Sequence, residues 1–167
     1  MELIKRWARE LLLFALIAVV ISNVMSALRS PTLESDRLPS FELDLVAGGK
    51  LSSHRLKGAP VLIYFWGTWC PVCSAQSPAV EGVVEDVQVL SIAVNSGDEQ
   101  TLQSYMRAQG YGFPVYNDVN RAWSERFQVR AFPTLFLYDA EGRLRFTEVG
   151  YTSSVGLRAR LMWMSWF

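Results

Sequence analysis

The sequence predicts an α/β fold, a mixed β-sheet covered by helices on both faces and preceded by one N-terminal transmembrane helix. Strand-type and helix-type segments alternate through the middle of the chain, a β-hairpin and a helix follow, and an uncharged apolar run lies near the N-terminus. Strand–helix alternation that ends in a hairpin and a helix is typical of a mixed sheet between two helical layers. The 167 residues allow one domain with a real core plus a short appendage.

The apolar run at residues 11–28 carries no charge and follows the basic residues Lys5, Arg6 and Arg9. As a helix it would span roughly 27 Å, close to the thickness of a hydrocarbon core. An uncleaved anchor and a secretory signal peptide both fit this pattern, and the poor cleavage site at Ala27 favours the anchor.

Basic residues before a membrane helix stay in the cytoplasm, which sends the rest of the chain across the membrane. We therefore expect a single-pass protein of the inner (cytoplasmic) membrane with its folded domain in the periplasm. The predicted organisation is a cytoplasmic basic segment at 1–10, a transmembrane anchor at 11–28, a tether at 29–37 and the folded domain at 38–167.

The central strand is predicted at residues 61–66, where six apolar residues follow one another. A helix should follow it from Cys70 to about Glu85, with Pro71 in its first turn and a kink at Pro78. The other predicted elements are a strand at 41–45, a turn at 47–50, a buried strand at 87–94, a helix at 97–109, an edge strand at 113–116, a short helix at 121–127, a hairpin of 135–138 with 144–149, and a terminal helix from about Thr152.

Cys70 and Cys73 are the only cysteines in the chain, and two residues separate them. They lie where the central strand gives way to a helix. A sulfur at the start of a helix is close to free backbone N–H groups and to the positive end of the helix dipole. Both favour the thiolate, which is the attacking species in disulfide exchange. The pair is therefore predicted to be a redox-active dithiol.

Two other interpretations of the cysteine pair stay open at this point. A structural disulfide is possible, although so short a loop gives little entropic stabilisation. An intermolecular copper or zinc site is also possible, but zinc usually takes four ligands and His54 is the only histidine. His54 lies in a polar stretch and is expected at the surface. The formal net charge of zero gives no indication of nucleic-acid binding.

Residues 65–73, Phe-Trp-Gly-Thr-Trp-Cys-Pro-Val-Cys, resemble the active-site run of the thioredoxin superfamily, and residues 130–134 resemble its cis-proline loop. The chain is further similar to the membrane-anchored TlpA-like thiol:disulfide interchange branch, and its layout is most similar to the copper-sensitivity suppressor protein D group. The segments that carry this narrower similarity are 38–45, 57–58, 118–129 and 139–142. The resemblance covers about residues 38–151 and implies a thioredoxin-like sheet.

The resemblance implies a protein-disulfide oxidoreductase that uses no cofactor or metal. Cys70 would be the nucleophile, and Cys73 would be the resolving thiol that closes the redox-active disulfide Cys70–Cys73. A cis proline would expose the backbone before it as an unpaired strand edge for an extended client peptide. The residues implied in substrate binding are Trp69, Phe132, Pro133 and Thr134.

Tyr64 stands where many thioredoxins bury an aspartate that accepts a proton from the resolving thiol. A phenol with an ordinary pKa of about 10 is a poor acceptor. The acidic residues that follow the motif, Glu81, Glu85 and Asp86, are expected to face solvent. The proton acceptor therefore stays unassigned, and water is one candidate.

The anchored branch implies a reductant that receives electrons from a transmembrane donor protein. Its partners would be protein thiol and disulfide substrates, and its contact with the inner membrane would run through residues 11–28. In the terminal helix, Leu157, Leu161 and Met164 share one face and are expected to pack on the sheet.

Overall fold

The computed structural model describes residues 2–31, 33 and 35–166. The described residues form five α-helices and seven strands, whose order agrees with the predicted elements except for the strand at Lys50–Ser52, which was not predicted as a strand. They are α1 (Glu2–Arg29), β1 (Glu42–Asp44), β2 (Lys50–Ser52), β3 (Val61–Trp66), α2 (Pro71–Glu81), β4 (Gln88–Val94), α3 (Glu99–Gln109), β5 (Val115–Asp118), α4 (Ala122–Arg126), β6 (Thr134–Tyr138), β7 (Leu144–Val149) and α5 (Ser154–Trp166), with a 3-10 helix at Ser53–Leu56.

The main sheet has the strand order β5-β4-β3-β6-β7, with β3 at its centre. Strand β3 is parallel to β4, which is parallel to β5, while β6 is antiparallel to both β3 and β7. The predicted mixed sheet is therefore confirmed. Strands β1 and β2 form a separate antiparallel hairpin.

Successive residues of β3 point to opposite faces of the sheet, and all six are buried. Leu62, Tyr64 and Trp66 join one hydrophobic cluster with the apolar faces of α2, α3 and α5. Val61, Ile63 and Phe65 join a second cluster, which includes residues of α4 and of the β1–β2 hairpin. Helices therefore cover both faces of the main sheet, as predicted.

Helix α2 ends at Glu81, four residues before the predicted end at about Glu85. The N–H of Gly82 donates to the carbonyls of Pro78 and Val80, and shorter turns continue the chain to Asp86. Such tightened bonds are typical of the last turn of a helix. The turns bring the chain back to the start of β4.

Helix α5 carries the buried face that the sequence predicts, with Leu157, Leu161 and Met164 in the core. Its position is fixed further by Arg160, whose Nε donates to Glu148 Oε1 at 2.6 Å. The side chains of this ion pair are only 21% and 13% exposed. Helix α5 is thereby held against the edge strand β7.

Helix α1 exposes large apolar side chains along its length, among them Leu12 and Phe14. Near its end, Ser26 Oγ accepts the Val149 N–H at 2.9 Å, which attaches the helix to β7. None of the helices that the described residues form is both long and apolar enough to cross a membrane. The anchor predicted at residues 11–28 is therefore not confirmed.

Part of the predicted tether is ordered against the domain. Arg37 forms an isolated bridge with Arg143, and the Leu144 N–H donates to the Asp36 carbonyl at 2.6 Å. These contacts place the end of the 29–37 segment beside the β6–β7 turn, at the opposite end of β6 from Pro133.

Candidate active site

Cys70 and Cys73 form a disulfide at the N-terminus of α2, with their Cα atoms 5.2 Å apart. Cys70 is the N-cap residue of α2, and Cys73 lies in its first turn. Cys70 is 6% exposed and Cys73 is fully buried. The expected difference in exposure is therefore found, and an incoming sulfur would meet Cys70 first.

The first turn of α2 is suited to stabilise a negative charge on Cys70. The Cys70 Sγ accepts the N–H of Cys73 at 3.2 Å, and the first turn contains no acidic side chain. Pro71 occupies the first helical position, where the missing N–H costs no hydrogen bond. The helix dipole and this N–H would favour the thiolate of a reduced Cys70 over its thiol.

Tyr64 reaches the backbone of the resolving cysteine. Its hydroxyl lies 3.2 Å from the Cys73 carbonyl oxygen and 3.0 Å from Ser77 Oγ, and Ser77 Oγ also donates to that carbonyl. Burial raises the pKa of Tyr64 above its usual value, and the Ser77 hydrogen bond opposes this only in part. Tyr64 therefore stays a neutral hydroxyl that holds the start of α2.

The acidic residues after the motif are placed differently from one another. Glu85 and Asp86 are exposed as expected, and Asp86 pairs with Arg158 at 3.0 Å. Glu81 does not simply face solvent, because its carboxylate accepts the N–H groups of Gly112 and Phe113 at 2.9 and 3.3 Å. Glu81 is half-buried, and the sequence contains no signal for its bond to a loop 31 residues away.

The loop beside the disulfide contains a cis peptide bond between Phe132 and Pro133, as predicted. Thr134 Oγ1 donates to the Ala131 carbonyl at 2.8 Å, and the Gly150 N–H donates to the Pro133 carbonyl at 2.9 Å. Among the described residues, the N–H and carbonyl of Phe132 have no hydrogen-bond partner. Pro133 is buried and Thr134 is 1% exposed.

Trp69 joins the cysteine motif to this loop. Its ring meets the Phe132 ring edge to face, with centroids 5.4 Å apart, and its Nε1 donates to the Val94 carbonyl at 2.9 Å. The side chain is nevertheless 54% exposed, and Val72 beside it is 46% exposed. We call the apolar area formed by the exposed Trp69 and Val72 and the half-buried Phe132 the redox surface.

Two polar residues that the sequence analysis did not identify support the site. Gln76 is fully buried in α2, where its amide donates to the Thr152 carbonyl at 2.9 Å and accepts the Thr152 N–H at 2.6 Å. Ser96 Oγ accepts the Thr68 N–H at 3.1 Å. A glutamine inside an amphipathic helix is usually exposed, so only the burial in the fold reveals its function.

A copper or zinc site within this chain would need several ligand side chains close together. Among the described residues, no group of three or more His, Cys, Asp or Glu side chains could hold a metal ion. His54 is exposed in the 3-10 helix, as expected from its polar surroundings.

A disulfide at the start of a helix, beside a cis-proline loop and on a mixed sheet, defines a thiol–disulfide oxidoreductase of the thioredoxin fold. The chain belongs to the AhpC/TSA family, whose model matches residues 35–147. The resemblance to thioredoxin-like proteins is thus confirmed, while the narrower similarity to the copper-sensitivity suppressor protein D group stays a prediction.

Known proteins similar to this chain support the same class. A "Thioredoxin-like protein" of Haemophilus influenzae is 32% identical over 166 residues, which are 98% of this chain and 98% of that protein. The thiol-disulfide oxidoreductase ResA of Bacillus subtilis is 30% identical and is covered over 77% of its length, with 80% of this chain.

A solved structure similar to this one is that of a secreted disulfide oxidoreductase of Mycobacterium tuberculosis, described as homologous to DsbE of E. coli. The TM-score is 0.65 at 26% identity, and the match covers 73% of this chain and 94% of that chain. Thiol–disulfide exchange is therefore the activity of this protein. Protein thiols are the substrates that this class implies.

Proposed function

We propose that this protein reduces disulfides of client proteins outside the cytoplasm, with Cys70 as nucleophile and Cys73 as resolving thiol. The observation that carries the proposal is the geometry of the pair. Cys70 caps α2, keeps 6% of its surface exposed and accepts an N–H, whereas Cys73 is fully buried one turn further along. Only Cys70 is positioned to meet a sulfur from outside.

The reaction then proceeds in two exchanges. The reduced Cys70 thiolate attacks one sulfur of the client disulfide, so the client S–S bond breaks and a mixed disulfide forms. The second client sulfur leaves as a thiolate and takes a proton from solvent. Cys73 gives its proton to solvent, and its thiolate attacks Cys70 Sγ. The bond from Cys70 to the client breaks, the first client sulfur leaves as a thiolate that takes a proton from solvent, and the Cys70–Cys73 disulfide closes. The dithiol is oxidised by two electrons, and the client disulfide is reduced.

The client is held by the redox surface and by the loop before the cis proline. The free N–H and carbonyl of Phe132 offer two backbone hydrogen bonds to an extended client segment, as in strand addition. Trp69 and Phe132 supply the apolar contact. Pro133 and Thr134 are buried, so we assign them to holding the loop in place rather than to touching the client.

We further propose that α1 attaches the domain to the inner (cytoplasmic) membrane, with the active site in the periplasm and a transmembrane protein as electron donor. The exposed apolar side chains of α1 and the basic residues before residue 11 support this location. A secreted relative is consistent with a domain outside the cytoplasm. Membrane fractionation of cells tests the attachment, and recovery of the full chain in the soluble fraction would contradict it.

Trapping experiments test the assignment of the two cysteines. Cys73→Ser should accumulate mixed disulfides with client proteins, because the resolving attack is lost. Cys70→Ser, the matched control, should accumulate few, because the buried Cys73 is shielded from clients. Equal trapping by both variants, or none by Cys73→Ser, would contradict the assignment.

The redox state in cells tests the direction of electron flow. Thiol alkylation should find Cys70 and Cys73 largely reduced when the membrane donor is present and oxidised when it is deleted. A pair that stays oxidised in both strains would identify the protein as an oxidant.

A further inference from the structure

A cavity of about 410 Å³ lies next to the cis-proline loop, between that loop and the end of α1. Its charged lining residues are Arg29 and Arg130, and both are exposed. The remaining described lining residues are uncharged: Leu28, Ser30, Pro31, Gln128 and Ala131. We call this space the arginine cavity.

The arginine cavity adjoins the proposed client site. Ala131 lines it and is the residue directly before Phe132, whose free backbone groups face the client in the proposed function. The carbonyl of Ala131 is held by Thr134 Oγ1 at 2.8 Å, so this part of the loop is fixed in position. A segment that pairs with Phe132 and continues along the loop would reach Arg130.

The two guanidinium groups have no opposite charge within the described part of the chain. None of the ion pairs found there involves Arg29 or Arg130, and none of the described residues that line the cavity is a carboxylate. Two positive groups around one space favour an anion between them. The planar guanidinium matches a carboxylate with two parallel hydrogen bonds.

We propose that the arginine cavity binds an aspartate or glutamate side chain of the client, so that cysteines with a nearby acidic residue are preferred substrates. This inference rests on the proposed function. An extended segment rises about 3.3 Å per residue, and the arginine side chain adds further reach. The acidic residue should therefore lie about two to four residues from the client cysteine.

Peptide disulfides test the preference directly. Each peptide contains one cysteine joined to glutathione, with Glu, Gln or Lys three residues before or three residues after it. The readout is kcat/KM of the full chain for reduction of each peptide. We expect the Glu peptide of one of the two series to react about 3- to 10-fold faster than its Gln counterpart, as for one or two partly exposed ion pairs. The Lys peptide should be the slowest, and added salt should reduce the difference.

Variants of the cavity assign the preference to these residues. The Glu-to-Gln ratio of kcat/KM should fall with Arg130→Gln and with Arg29→Gln, and it should approach one in the double variant. The matched control is Arg143→Gln, which removes an exposed arginine at the β6–β7 turn and should leave the ratio unchanged.

The outcomes separate the two proposals. A wild-type protein that reduces all peptides at equal rates would overturn the acidic preference and leave the oxidoreductase function intact. A wild-type protein that reduces none of them would contradict the proposed function itself. A Glu-to-Gln ratio that survives in the double variant would show that the preference comes from another part of the surface.

Discussion

The Trp69 indole lies directly over Gly67. A Cβ atom built at position 67 would lie 2.6 Å from two atoms of the indole ring. Real Cβ contacts are longer than this. Only glycine at position 67 therefore leaves room for the Trp69 ring where it donates a hydrogen bond to the Val94 carbonyl and contacts Phe132. Gly67 therefore sets the shape of the redox surface without taking part in the exchange.

Gly67→Ala should displace Trp69 and slow client reduction. The ring must turn away, which breaks the Nε1 bond to the Val94 carbonyl and the contact with Phe132. We expect kcat/KM for a protein disulfide to fall by about tenfold, the equivalent of about 1.4 kcal/mol, and the Trp fluorescence to change. Gly82→Ala is the matched control, because its Cβ would meet its nearest atom at 3.4 Å. Unchanged kcat/KM in Gly67→Ala would show that the position of Trp69 is unimportant.

Two buried tyrosines should make the fold sensitive to alkali. Burial raises the pKa of Tyr64 and of Tyr138 above the usual value. Above the unfolded pKa of about 10, the unfolded chain releases these protons while the native state keeps them. The free energy of unfolding should therefore be unaffected by these groups below that pH and fall above it, by about 1.4 kcal/mol per pH unit for each tyrosine.

Tyr64→Phe and Tyr138→Phe separate the pH effect from the hydrogen bonds. Each variant should lose the contribution of one tyrosine to the fall of the free energy of unfolding with pH above about 10, as measured by urea denaturation. At neutral pH, Tyr64→Phe should cost about 1 kcal/mol because it loses bonds to Cys73 and Ser77. Tyr138→Phe should cost little, since the Tyr138 hydroxyl has no partner among the described residues. An alkaline slope that is the same in wild type and both variants would argue against the raised pKa values.

Gln76→Leu should destabilise the domain by about 2–4 kcal/mol, because it leaves the N–H and carbonyl of Thr152 buried and unpaired. Urea denaturation of the oxidised protein measures this loss. Gln109→Leu, at the exposed end of α3, is the control and should change stability by less than about 0.5 kcal/mol. A loss for Gln76→Leu no larger than that of the control would show that the link between α2 and the segment before α5 contributes little.

Much of the fold follows from local patterns in the sequence. The continuous apolar run of β3 indicates a strand buried on both faces, and Gly110, with its positive φ of 69°, ends α3 where the sequence suggests. The early end of α2 does not follow from these patterns, because residues 82–86 fit a helical apolar pattern while their backbone forms tighter turns.

The sequence also predicts the cysteine chemistry of the site. It does not predict the polar contacts that hold the site in place. The position of Cys70 before a helix follows from the order of strand, motif and proline along the chain. The contacts of Gln76 with Thr152 and of Glu81 with Gly112 join residues 76 and 31 positions apart. Such contacts depend on how the layers stack, which local periodicity does not encode. The arginine cavity likewise forms only because the end of α1 meets the loop before Pro133.

A redox titration against glutathione tests the central claim most directly. The full chain is equilibrated at defined ratios of reduced to oxidised glutathione, and the state of Cys70 and Cys73 is determined by alkylation and mass spectrometry. The account predicts one reversible two-electron transition in which the disulfide opens and closes between these two sulfurs. A cystine that stays closed across the whole range, or thiols that form only mixed disulfides with glutathione, would contradict it.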